Sequence, residues 1–111
     1  HKKDFKGAEQ CYRKAIELDP KYANAHNNLG YLLDNHKKDF KGAEQCYRKA
    51  IEADPKDAYA HFNLGLLLYN HKKDFKGAEQ CYRKAIELDP KHANAHVNLG
   101  NLLKNHKKDF K

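Results

Sequence analysis

The 111-residue chain contains no tryptophan and no methionine, and only three cysteines, three prolines and six glycines. No stretch approaches the roughly 18 consecutive apolar residues of a membrane helix, and no signal-peptide hydrophobic run follows the basic start. The chain therefore reads as soluble, without a membrane partner. Every glycine is a recurring column (Gly7, Gly42, Gly77; Gly30, Gly65, Gly100), so none belongs to a phosphate-cradling loop. No nucleophile, base and orienting residue converge, so no enzyme activity and no cofactor are expected. The cysteines Cys11, Cys46 and Cys81 are also one column. In stacked units they should lie one repeat apart, roughly 8–10 Å, beyond disulfide reach. Their number is odd as well. They read as reduced thiols, most simply in the cytoplasm.

What is present is repetition. Residues 1–35, 36–70 and 71–105 share 29 of 35 columns, and residues 106–111 restate the first six. The columns that differ are 18/53/88, 22/57/92, 24/59/94, 27/62/97, 31/66/101 and 34/69/104. The last four of these follow spacings of +3, +4 and +3, one face of a 3.6-residue helix. One helix face varies while the rest is constant. Units of this length bury their apolar faces by stacking, so residues 1–111 are expected to form a single repeat array. Mean hydropathy is −1.07, yet the apolar residues are strictly periodic, which argues against disorder.

In chain order, Asp4 occupies a helix N-cap position, and Phe5, Ala8, Tyr12, Ala15 and Ile16 follow at helical spacing. A first helix, B, is expected over 5–18, ending at Asp19-Pro20 because proline disfavours helical geometry in the residue before it. Gly7 is expected to admit a neighbouring backbone. Helix A follows over 23–35, with His26, Leu29, Gly30 and Leu33 as its packed side, flanked by Ala25 and Leu32. Asn35 is the expected left-handed cap, and His36-Lys37-Lys38 the turn before Asp39 caps the next B. That short turn makes A and B an antiparallel hairpin.

These residues resemble the tetratricopeptide signature W-x₂-L-G-x₂-Y, A-x₃-F, P. The chain offers His26-x₂-Leu29-Gly30-x₂-Leu33, then Ala43-x₃-Tyr47, then Pro55; His61, Leu64, Gly65, Leu68, Ala78, Tyr82 and Pro90 repeat the pattern. The third copy has His96, Leu99, Gly100 and Leu103. His and Leu replace the usual tryptophan and tyrosine, and the period is 35 where the family has 34. The extra residue is expected in the His-Lys-Lys turn. The resemblance implies an all-α, right-handed superhelical solenoid of antiparallel helix hairpins whose A helices line a concave groove for an extended peptide or partner helix. It places Asn24, Asn27, Asn28, Tyr31, Asp34 and Asn35 in that groove, then Tyr59, Phe62, Asn63, Leu66, Tyr69 and Asn70, then Asn94, Val97, Asn98, Asn101, Lys104 and Asn105.

Within that set, Asn28, Asn63 and Asn98 form a constant column, and a carboxamide matches a peptide amide as both donor and acceptor. Similar asparagine ladders in the family bind extended peptide backbone. Capping is the expected role of Asn35, Asn70 and Asn105. Tyr59, Phe62, Leu66 and Tyr69 form an aromatic-apolar strip suited to anchoring a partner. Some family members clamp a C-terminal carboxylate with lysines, an arginine and asparagines. The matching residues here are Asn27, Tyr31, Asn63, Asn94 and Asn98, so the cations of that clamp are missing.

Eight histidines fall into columns without closed metal-ligand spacing, and no metal site is expected. The +7 charge concentrates in the HKKDFK segments, read as solvated turns rather than as a nucleic-acid surface. The expected function is a non-catalytic protein-interaction scaffold with a protein or peptide ligand. Two rival functions are end-to-end self-assembly and binding of nucleic acid or acidic protein along the basic edge. Head-to-tail self-association is expected because the uncovered face of the first helix B complements the last helix A.

Overall fold

The computed structural model describes residues 3–106; residues 107–111 of the terminal stub lie outside them. The elements among the described residues are helical: α1 Phe5–Leu18, α2 Ala23–Leu32, α3 Phe40–Ala53, α4 Ala58–Leu67, α5 Phe75–Leu88 and α6 Ala93–His106. They form two compact units, His1–Pro55 and Lys56–Lys111. The first holds α1, α2 and α3, the second α4, α5 and α6.

The three B helices start and stop where local chemistry directs. The carboxylates of Asp4, Asp39 and Asp74 accept from the backbone N–H of Gly7, Gly42 and Gly77 at 2.8, 2.9 and 3.0 Å. Each cap contributes about 1 kcal/mol. The glycines serve this cap and not a neighbouring backbone: a Cβ on Gly7 would stand 2.4 Å from Asp4 Oδ2, and the other two are nearly as tight. At the far ends Asp19, Asp54 and Asp89 turn extended ahead of proline.

The A helices begin at the varying column 22/57/92. Asp57 accepts from Tyr59 N–H at 3.0 Å, and His92 Nδ1 accepts from Ala95 N–H at 3.2 Å. Tyr22 makes no side-chain cap. His26 Nε2 and His96 Nε2 meet the carbonyls of Pro20 and Pro90 at 2.8 and 2.9 Å. A carbonyl only accepts, so these Nε2 atoms carry the proton. The histidine that stands for the signature tryptophan thereby ties helix A to the preceding Asp-Pro turn.

The ends of the first two A helices correct the expected cap. Asn35 is not left-handed. The helix widens into a π turn, Leu33–Lys37, and the left-handed residue is Lys38 at φ 57°. Asp39 N–H then reaches Leu33 O at 2.8 Å. Leu68–Lys72 and Lys73 (φ 54°) repeat this, closed by Asp74 N–H on Leu68 O at 3.0 Å. A π turn accommodates one more residue than an α turn, which explains how the 35-residue period is absorbed without unpairing the helix end.

In unit 1, α2 packs between α1 and α3. Ala25, His26, Leu29, Gly30, Leu32 and Leu33 of the A segment are buried, as are Ala43, Tyr47 and Ala50 of α3. Gly30 lets the two helices touch: a Cβ there would lie 2.7 Å from Tyr47 Cε1. The basic turn is not merely solvated. His36 stacks on Phe5 with ring centroids 3.9 Å apart, and Lys37 Nζ donates to Glu9 Oε1 at 3.0 Å. Lys37, then Arg13, hold the Glu9 carboxyl below the usual carboxylate range.

In unit 2, α5 packs against both α4 and α6. Ala60, Phe62, Leu64, Gly65, Leu67 and Leu68 are buried on the α4 side, Ala78, Tyr82 and Ala85 on α5, and Ala95 and Leu102 on α6. Gly65 repeats the close approach, since a Cβ on it would lie 2.8 Å from Tyr82 Cε1. Gly100, in the same column, has no neighbour within 4 Å among the described residues. His106 stacks on Phe75 at 3.9 Å, with Tyr69 edge-on to both rings.

Candidate functional site

The face expected to line a groove divides by burial. Asn24, Asn28 and Tyr31 are exposed in unit 1, and Tyr59, Asn94, Val97, Asn101 and Lys104 in unit 2. Leu66, Tyr69 and Asn98 are half-buried. Asn27, Phe62 and Asn63 are only 3%, 7% and 4% exposed. The expected exposed strip Tyr59-Phe62-Leu66-Tyr69 is therefore interrupted at its second member. The Phe62 ring sits 6.1 Å from that of Tyr82 and 4.8 Å from that of His92, so it packs inside unit 2. The column of Val97 is open where that of Phe62 is filled: Val97 is 59% exposed.

The constant asparagine column divides as well. Asn28 is exposed, Asn98 half-buried and Asn63 buried, with its Nδ2 lacking a hydrogen-bond partner. A buried unpaired amide costs about 1–3 kcal/mol. Asn63 does not stand free on the surface as an amide-reading ladder requires.

Two clefts bring expected residues together, one in each unit. In unit 1, Asn28 and Tyr31 meet Lys3, Asp4, His36 and the apolar Phe5, Ala8, Tyr12 and Leu32 around about 420 Å³. In unit 2, Leu66, Tyr69, Asn98 and Asn101 meet Asn70, Asn105 and Tyr82 around about 200 Å³. Helical phase accounts for the second set. Leu66 and Asn70 are four apart on one side; Asn98, Asn101 and Asn105 follow at +3 and +4 on α6. Tyr82 forms the floor from α5. Burial pushes its phenol well above the ordinary value, with smaller contributions from Tyr69 and Cys81, so it stays protonated and neutral.

Sequence reasoning named Tyr82 only as a signature residue, and it set Asn70 and Asn105 on the groove face while expecting them to act as caps. The i, i+4 spacing of Leu66 to Asn70 and of Asn101 to Asn105 was the available signal. Asn35 is used differently: its Nδ2 donates to Tyr31 O at 3.0 Å. No hydrogen bond to another described residue occupies the side chains of Asn70, Asn98, Asn101 or Asn105.

Of the remaining chemistry, Cys11 is exposed and Cys46 and Cys81 are half-buried, all as free thiols; burial pushes the Cys46 thiol up. Among the described residues no group of three or more His, Cys, Asp or Glu could hold a metal ion, and no helix is long and apolar enough to cross a membrane.

A tetratricopeptide repeat family model matches residues 37–93, more than half of the chain. The chain belongs to the tetratricopeptide repeat family. Further tetratricopeptide models match residues 2–37 and 81–111. No curated protein matches the sequence significantly. Among solved structures, MamA superposes with a TM-score of 0.81 at 25% identity, covering 91% of this chain and 58% of MamA. The first tetratricopeptide domain of Spaghetti (RPAP3), bound to the HSP90 peptide SRMEEVD, gives 0.82 at 23% identity, covering 90% of this chain and 78% of that one. A mutant O-GlcNAc transferase of Thermobaculum terrenum gives 0.80 at 26% identity, covering 90% of this chain but 19% of the transferase. This tetratricopeptide chain thus spans less than two thirds of two of these proteins. The all-α fold class is the one its signature residues implied.

Proposed function

We propose that this tetratricopeptide protein is a non-catalytic interaction scaffold that holds an extended peptide, with the α4–α5–α6 cleft as one point of attachment. The observation that carries the reading is the convergence of Asn70, Asn98, Asn101 and Asn105 with Leu66, Tyr69 and Tyr82. Carboxamides offer a donor and an acceptor each, the complement of a backbone amide, and the leucine and tyrosines supply apolar contact. Support comes also from family membership and from the Spaghetti domain of like fold, which is itself bound to a peptide. The carboxylate clamp is not part of the proposal, because asparagines stand where it needs cations. The test is retention of peptides from a random extended library on immobilised protein, with Asn98→Ala/Asn101→Ala as the control. Equal retention by both proteins would sink the reading.

A further inference from the structure

We propose that the α4–α5–α6 cleft selects an uncharged carboxamide side chain, glutamine or asparagine, projecting from the bound segment. The proposal rests on the peptide-binding reading above and names what that site prefers.

The lining is chemically uniform. It consists of the carboxamides of Asn70, Asn98, Asn101 and Asn105, the phenols of Tyr69 and Tyr82, and Leu66. Among the described residues no carboxylate, ammonium, guanidinium or imidazole lines it. The unit 1 cleft is larger and carries charge, since Lys3, Asp4 and His36 line it. At about 200 Å³ the unit 2 cleft suits a single side chain better than a whole small ligand. Its four carboxamides are all without partners among the described residues, so both donors and acceptors are on offer.

A ligand carboxamide satisfies both kinds of group at once through reciprocal N–H···O pairs. A carboxylate uses only the donors and leaves the carbonyl oxygens facing its charge. An ammonium uses only the acceptors. Either ion also gives up water beside Leu66 and Tyr82 with no counter-charge in the lining, which is the larger cost. A leucine side chain fits the space but offers no hydrogen bond to the half-buried Asn98 or to the other carboxamides. Lys104 lies exposed on α6 outside the lining and gives an acidic ligand at most a solvent-screened attraction.

The test uses the full chain and a short blocked Ser/Thr host peptide with a single central Gln, Glu, Lys or Leu. Binding is followed by fluorescence anisotropy and by the side-chain amide resonances of Asn70, Asn98, Asn101 and Asn105. The Gln peptide should bind about tenfold tighter than each of the others and shift those resonances. Asn101→Asp, at an exposed position that should leave the melting temperature unchanged, should move the preference toward the Lys peptide. Equal affinity for all four peptides would overturn the selectivity while leaving the scaffold reading intact. Binding of none would overturn both, and Gln binding without movement of the asparagine resonances would place the ligand elsewhere.

Discussion

Unit 1 and unit 2 share almost all their columns and yet present different clefts. In unit 1 the last asparagine of helix A turns back onto Tyr31 O, and the cleft beside Asn28 and Tyr31 mixes an apolar floor with charged groups. In unit 2 two A helices and one B helix enclose a neutral cleft whose carboxamides make no bond to another described residue. The charged residues of the unit 1 cleft, Lys3, Asp4 and His36, stand in constant columns, so which helices meet decides the chemistry of a cleft as much as the variable columns do. Identical residues in one column also differ in burial, because that depends on which helix lies against them.

The largest test of this comparison is Leu64→Ala beside Leu99→Ala. Leu64 is 3% exposed and Leu99 only half-buried. Leu64→Ala should cost ~2–5 kcal/mol in urea unfolding, and Leu99→Ala clearly less. Equal losses would show that the column, not its surroundings, sets the energetics. Next come Gly65→Ala and Gly100→Ala, for which opposite signs are expected. The first forces a methyl against Tyr82 and should destabilise by ~1–3 kcal/mol. The second meets no described residue and should stabilise by up to ~1 kcal/mol through helix propensity. Thermal melts of the two variants decide the matter.

A smaller effect is expected from Asn63→Leu, which removes a buried amide without a partner. Stability should hold or rise by about 1 kcal/mol, whereas Asn98→Leu should leave stability alone and weaken peptide binding. A large loss for Asn63→Leu would restore this asparagine as a structural requirement. The smallest effect concerns Glu9. Its carboxyl titrates below the ordinary value, so its contribution is present above about pH 4.5 and is lost as pH falls through the depressed folded value. Lys37→Ala should raise the Glu9 titration midpoint read by carboxyl NMR; an unmoved midpoint would break the assignment.

Much of the fold was legible because it is local. Asp4, Asp39 and Asp74 cap helices that begin at the next residue, and Asp-Pro steps stop them by steric exclusion within a dipeptide. The 3.6-residue spacing of Leu29, Gly30 and Leu33 named the packed side correctly. The exchange of Asn35 for Lys38 as the left-handed residue was not legible. The π turn that moves it closes through a backbone bond from Asp39 to Leu33, which no side-chain signal announces.

The site shows the same boundary. Sequence comparison alone determined which helix face varies, which singled out Leu66, Tyr69 and Asn101, and that Asn98 is a constant column on the same face. Only the tertiary structure decided that Phe62 turns inward against Tyr82 and His92, that Asn63 is buried while Asn98 is half-buried, and that Tyr82 floors a cleft shared with Asn70 and Asn105. Helix phase is set by residues three and four apart, which the chain carries in its order. Exposure is set by whatever helix packs across a residue, and equal columns meet unequal neighbours.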